Sequence, residues 1–378
     1  MPLLHTAIED RVYLGQGLES LYFQESFRCL QLNNIAVYEA YCDDFGPMSM
    51  ASIVDFIKLL DAELDAHPDS KIVVCADNGR RHLTNAVSLI GAYMIIKLEM
   101  TPDEVAIRLR WVSAAFIESY RDATYSRPDF RLHLEDCWRG LAKGQALGWI
   151  RYGGSDYMWG DIDVDEYRHY DSPVNGNLHE VVPGKFIAFQ GPRDLDGDSY
   201  RDSPNGARAF SPAHYAPILS DMGVETIVRL NEARYSAADF TSQGFSHLDL
   251  EFQDCTCPPA AVVEAFRRAA DATEGAVAVH CHAGLGRTGT LIGLWLMRSR
   301  GFGAREAMGW LRIMRPGSVI GEQQQYLCAA EATAASKLTS RRELESSKEA
   351  DEGGYQSETV DCEEATELAA QVAAGMVQ

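Results

Sequence analysis

The chain has 378 residues, of which 46% are apolar, and a formal net charge of −21 at neutral pH. That length suits two domains of roughly 100–200 residues each. The charge argues against nucleic acid or an anionic membrane as the main partner, and it requires any phosphate site to be strongly and locally positive.

Met1 to Tyr13 carries Glu9, Asp10 and Arg11 and lacks the apolar core of a secretory signal or a membrane span. Residues 1–150 then mix apolar runs with helical periodicity. Residues 151–183 read as an acidic linker, with Gly153-Gly154-Ser155 followed by Asp161, Asp163, Asp165 and Glu166. Residues 184–336 alternate expected strands (Phe186–Phe189, Thr226–Leu230, Leu248–Phe252, Ala276–His280) with expected helices (Ala260–Ala272, Arg287–Arg300, Ala304–Met314, Gln323–Lys337). Such alternation implies a central sheet covered by helices. In the tail, 337–378, acids outnumber bases; it reads as disordered, with a transient helix over Cys362–Ala374. Leu89-Ile90-Gly91 recurs as Leu291-Ile292-Gly293. At the same offset Thr101-Pro102-Asp103-Glu104 is matched by Gly303-Ala304-Arg305-Glu306, so two tandem copies of one fold are expected. Nine scattered cysteines, an odd number, suggest free thiols in a reducing, cytoplasmic or nuclear, compartment.

The sharpest chemical signal is Val279-His280-Cys281-His282-Ala283-Gly284-Leu285-Gly286-Arg287-Thr288-Gly289 between a strand and a helix. A loop whose N–H groups all turn inward cradles phosphate oxygens and needs small residues to close; here Ala283, Gly284 and Gly286 supply them, beside His282 and Leu285. The following helix adds its positive end. Arg287 can grip two oxygens in a planar fork. The same field favours a thiolate at Cys281, which can attack phosphorus, and the Thr288 hydroxyl can donate to the sulfur when it leaves. A buried structural cysteine does not explain this ordered set. Asp254, on a loop between an expected strand and helix, can reach the same sheet edge as a general acid; position alone leaves it equally a solvated loop acid.

These motifs, together with Val182-Pro183-Gly184-Lys185-Phe186-Ile187-Ala188-Phe189, Val228-Arg229-Leu230-Asn231 and Arg315-Pro316-Gly317-Ser318-Val319-Ile320-Gly321 followed by Gln323-Gln324-Gln325, resemble the cell division cycle 14 dual-specificity phosphatases. The resemblance covers 150–335 well and 10–150 more loosely. It implies an α/β chain of two tandem phosphatase-like domains, each a central mixed sheet flanked by helices, of which only the second is catalytic. It implies that Asp254 is the acid and then the base, and that a glutamine in 323–325, taken as Gln324, orients the hydrolytic water. No metal or cofactor is called for. Val74-Cys75-Ala76-Asp77-Asn78-Gly79-Arg80-Arg81 is then a degraded copy, with Asn78 and Arg80 where the second loop has glycines, Asp77 opposing phosphate and His82 replacing Thr288.

The implied substrates are phosphoproteins of proline-directed kinases, with a basic residue downstream of the phosphoserine or phosphothreonine, and phosphotyrosine as well. An acidic groove would read that base, with Asp161, Asp163, Asp165 and Glu166 as candidates. The family pattern has acids where Arg168 and Asn177 stand, so weaker selection for the base is expected. The family also suggests cell-cycle or ciliary work at spindle, centrosome or basal body. Two rivals are a phosphoinositide phosphatase, disfavoured by His282 and Leu285 where lysines are usual, and a phosphoprotein-binding pseudophosphatase, disfavoured by the joint presence of Cys281, Arg287, Thr288 and Asp254. Cys255 and Cys257 read as bland loop thiols, and Asp194-Leu195-Asp196-Gly197-Asp198 as a surface insertion lacking a calcium loop's final Glu.

Overall fold

The computed structural model describes residues 3–17, 27–32, 35–125, 127–204 and 206–336; the acidic tail, with the helix expected over Cys362–Ala374, lies outside them. In the first half the order is β1 (Leu3–Ile8), β2 (Val12–Gln16), β3 (Phe27–Gln31), α1 (Met50–Ala66), β4 (Lys71–Ala76), α2 (Arg80–Ile96), α3 (Pro102–Arg108) and α4 (Leu134–Ala146). A short hairpin, β5 (Met158–Trp159) and β6 (Ile162–Asp163), and α5 (Val164–Asp171) lead to the second half. There follow β7 (Leu178–Val182), β8 (Phe186–Phe189), β9 (Tyr200–Asp202), β10 (Arg208–Phe210), α6 (Pro212–Asp221), β11 (Val224–Arg229), α7 (Ala238–Thr241), β12 (Ser246–Asp249), α8 (Ala260–Ala272), β13 (Ala276–His280), α9 (Gly286–Arg300) and α10 (Ala304–Met314). A further helix runs over 323–336.

The expected repeat is visible in the sheets. The first has order β1-β2-β4-β3, with β1 antiparallel to β2 and the other neighbours parallel. The second has β7-β8-β13-β11 in the same relation, with β12 added outside β11. The central strands β4 and β13 are short apolar runs; β13 is buried throughout, as parallel strands covered on both faces must be. The Thr101 and Gly303 matches both mark helix starts. Their N–H groups are each taken, at 2.8 Å, by the glutamate three residues on.

Two expectations change. The stretch 151–183 is no simple linker: it holds β5, β6, α5 and the edge strand β7. Its polar look misleads because Asp163 is an N-cap, accepting from the N–H groups of Asp165 (3.0 Å) and Glu166 (2.9 Å), while Val164, Tyr167, Leu178, Val181 and Val182 are buried. The strand expected at Leu248–Phe252 begins and ends earlier, at Ser246–Asp249.

One apolar core runs through both halves, joined where α4 crosses α10. A Cβ on Gly140 would stand 2.4 Å from the Glu306 carbonyl oxygen, and one on Gly309 would stand 2.6 Å from that of Asp136. Gly144 meets the ring of Trp310, whose Nε1 donates to the Val181 carbonyl at 2.9 Å. Gly140→Ala must push these helices apart, at a cost of about 1–3 kcal/mol. Denaturant unfolding should show the lowered midpoint; an unchanged midpoint would refute backbone contact at this seam.

Candidate active site

β13 lies between β11 and β8 and delivers Cys281, 3% exposed, at its C-terminal end. The loop from Cys281 to the start of α9 has all its carbonyls engaged from outside. That of Cys281 accepts from the His280 ring (3.1 Å), that of His282 from the Gly191 N–H (3.0 Å), and those of Ala283 and Gly284 from Arg315 (2.9 and 2.8 Å). Leu285 accepts from Gly289 (2.9 Å) and Val319 (3.3 Å), and Gly286 from the Thr290 hydroxyl (2.8 Å). Each planar peptide puts its N–H opposite its carbonyl, so the loop's N–H groups are left to face inward. Gly284 has φ of +70°, and a Cβ there would stand 2.1 Å from the Phe189 carbonyl oxygen, so only glycine fits.

The other expected groups gather around this loop. Arg287 is 3% exposed; one nitrogen donates to the carbonyls of Leu230 (3.2 Å) and Phe252 (2.9 Å), and its Nε stands 3.1 Å from Asp254 Oδ1. That last contact is an ion pair without hydrogen-bond alignment, since Nε has no hydrogen-bond partner among the described residues. Asp254 is exposed in a turn just beyond β12, and Cys255 after it holds the left-handed φ of +59° that favours glycine. Thr288 is fully buried, and its hydroxyl has no partner among the described residues.

The glutamine differs from expectation. Gln324 spends its amide on Arg312 (2.7 Å) and the Gly321 carbonyl (3.1 Å). Gln323 instead donates to the Thr256 carbonyl (3.0 Å) in the Asp254 turn, and its Oε1 would touch a Cβ on Gly286 at 2.9 Å. Adjacent residues on a helix face different ways, and three consecutive glutamines gave the sequence no means to choose.

Behind the loop is a directed relay. The Cys281 carbonyl only accepts, so His280 Nδ1 carries the proton and Nε2 accepts from the Tyr235 hydroxyl at 2.8 Å; the Tyr235 oxygen in turn accepts from His247 Nε2 at 2.9 Å. Burial pushes His280 down to about 3 and lowers His247 as well, so both rings are neutral.

Residues 6–144 match the family model "Dual specificity protein phosphatase, N-terminal half", and residues 203–301 match "Polymorphic toxin system, DSP-PTPase phosphatase". Tyrosine-protein phosphatase cdc-14 of Caenorhabditis elegans is 37% identical over 306 residues, 79% of this chain and 41% of its own. Dual specificity protein phosphatase CDC14AB of Danio rerio is 39% identical (85% of this chain, 51% of its own), and CDC14A of Homo sapiens is 38% identical (85% and 52%). The chain belongs to the CDC14 dual-specificity phosphatase family. It spans about half the length of these relatives. Among solved structures, Tk-PTP in its active form is 24% identical and covers 40% of this chain and 94% of that one, with a TM-score of 0.33.

The CDC14-type duplication makes the first half a control for the second. Cys75 lies inside β4, where its thiol meets the Val73 carbonyl at 3.4 Å, and burial with Cys29 alongside pushes it up to about 12. Arg80 is spent on the Ile117 and Ala114 carbonyls, and Arg81 on Glu118 (3.0 Å) and Asp43 (3.2 Å). Among the described residues the first sheet has no counterpart of β12, the strand that leads to Asp254. Burial, then Asp254, raises Cys255; burial, then Glu322, raises Cys257. Both are free thiols. In the 194–198 insertion Arg201 pairs with Asp196 (3.5 Å) and Asp198 (3.1 Å).

The four groove candidates lie at the start of α5 and in the turn just before it. Asp163 caps α5, Asp165 pairs with Arg168 (2.9 Å), Glu166 lines a small cavity with Glu180, and the charges of Glu166 and Asp161 both act on Glu180. Asn177, expected on the groove, instead accepts from Arg315 at 3.0 Å. Burial, with Glu166 and Asp161 adding to it, raises Glu180 from 4.5 to about 7. The folded state therefore holds this proton more tightly than the unfolded chain, and the associated stability, full below 4.5, is lost as pH rises through about 7. Glu180→Gln should remove a decline of roughly 1–3 kcal/mol between about pH 5 and about pH 8. Denaturation curves with the same pH slope in both proteins would contradict this.

Proposed function

We infer that the chain is a protein phosphatase that works through a phosphocysteine. The observation that carries this reading is Cys281 at the mouth of a loop whose carbonyls are all held outside, with Arg287 and Asp254 in contact beside it. The substrate phosphoryl group sits in the ring of N–H groups, gripped by Arg287. The Cys281 thiolate attacks phosphorus as the P–O bond to the leaving group breaks, and Asp254 gives that oxygen its proton. Water positioned by Gln323 then loses a proton to Asp254 and attacks the phosphocysteine. The S–P bond breaks, the buried Thr288 hydroxyl donates to the departing sulfur, and phosphate leaves.

Phosphoproteins are the proposed substrates: phosphotyrosine and proline-directed phosphoserine or phosphothreonine. Cell-cycle, cytoskeletal or ciliary regulation in cytoplasm or nucleus goes with this reading. Wild type should turn over phosphopeptides and leave phosphoinositides untouched. Cys281→Ser should abolish turnover, Asp254→Ala should lower kcat by ~100–10,000-fold, and Cys75→Ser should match wild type. Wild-type turnover of neither substrate would favour a binding module instead, and turnover surviving in Cys281→Ser would move the chemistry to Cys75.

Selection for a downstream base is proposed to be weak, because Arg168 neutralises Asp165 and Asp55 where the family pattern has an acid. Arg168→Glu should raise, several-fold, the kcat/KM ratio between phosphopeptides with and without that base. An unchanged ratio would refute the assignment.

A further inference from the structure

We propose that Arg315 is the positioning residue of the phosphate loop, and that Asp171 and His179 hold it in place from the segment joining the two halves. The inference rests on the phosphatase reading of the same loop.

Arg315 is 1% exposed, yet its nearest partners are not carboxylates. Its Nε donates to the Gly284 carbonyl at 2.8 Å, and one terminal nitrogen donates to the Ala283 carbonyl at 2.9 Å and to Asn177 Oδ1 at 3.0 Å. The two peptides it holds are Ala283–Gly284 and Gly284–Leu285, which flank the residue with φ of +70°. Glycine there solves a steric problem and creates a conformational one: a residue free on both sides of the Ramachandran map lets its neighbouring peptides flip. A flip would turn a carbonyl into the ring where an N–H must face phosphate. A planar fork holding both carbonyls outside closes that route.

The other terminal nitrogen of Arg315 donates to His179 Nδ1 at 2.8 Å. Nδ1 is thereby the acceptor, so the proton sits on Nε2, 2.9 Å from Asp171 Oδ1. His179 is a neutral ring between a cation and an anion, and Asp171 fixes which nitrogen faces Arg315. Without Asp171 the ring is free to take the other tautomer, which presents an N–H to the guanidinium and displaces it. Asp171 ends α5, so the chain of contacts runs from the inter-half helix through β7 and the 315–321 turn to the loop.

The probe is tungstate, a phosphate mimic that reports the loop without chemistry, measured by calorimetry on the full chain, with phosphopeptide kinetics alongside. Arg315→Lys keeps the charge but not the fork, and tungstate affinity and kcat/KM should both fall by at least ~10-fold. Asp171→Ala, at a half-exposed carboxylate, should give a several-fold loss of both, while Asp171→Asn, which still accepts from Nε2, should recover most of it. Melting temperatures identify variants that remain folded. A folded Arg315→Lys protein with wild-type tungstate affinity overturns the proposal. If Arg315→Lys does not fold, Asp171→Ala decides: wild-type affinity and kcat/KM there overturn it, and a paired loss restored by Asp171→Asn supports it. Wild type that neither binds tungstate nor turns over phosphopeptide sinks the phosphatase reading and this inference with it; wild type active and all variants equal to it sinks this inference alone.

Discussion

Backbone N–H groups can hold a phosphate only if the carbonyls of the same peptides have somewhere else to go. Planarity ties the two ends of each peptide together, and buried carbonyls must be paired. Most of what surrounds the 281–287 loop is an answer to that constraint. A histidine ring takes one carbonyl, a glycine N–H just past the neighbouring strand takes another, an arginine takes two, and α9 with the 315–321 turn takes the rest. The sheet contributes by setting β13 in the middle, so partners can approach from both sides.

The first half shows what the same topology does with its charges spent elsewhere. Its strand order repeats that of the second half, and Gln16 even holds the Asp77 and Gly79 carbonyls at 2.6 and 2.9 Å. What differs is the use of the cations: Arg80 and Arg81 are turned onto neighbouring carbonyls and carboxylates. Its thiol is held in the protonated form by burial. A shared scaffold carries shape; the chemistry lies in a few side chains.

Elements whose burial is decided by their own residues were legible in the chain. Ala260–Ala272 and Ala304–Met314 form as their periodicity predicts, and Ala276–His280 as its short β-branched apolar run predicts; Cys281, Arg287 and Thr288 follow from one local loop. What depends on distant partners was not. Asp163 resembled a groove acid because a capping carboxylate and a recognition carboxylate look alike in sequence. Gln323 could not be separated from Gln324 without the turn at Thr256. Arg315 stood within a family signature, but nothing local says that a buried guanidinium binds carbonyls 31 and 32 residues upstream. Asp171 carries no local signal, because its meaning depends on His179.

The glycine seam between α4 and α10 also bears on how the chain can be cut. Main chain rests on main chain there, and Trp310 sits fully buried against Gly144. A fragment beginning after α4 would present that tryptophan and a bare helical flank to water, a surface that associates rather than one that stays dispersed. The two halves are thus poor candidates for separate expression or shuffling, despite their repeated strand order. Added sequence is better placed at strand β9, which is exposed along its whole length.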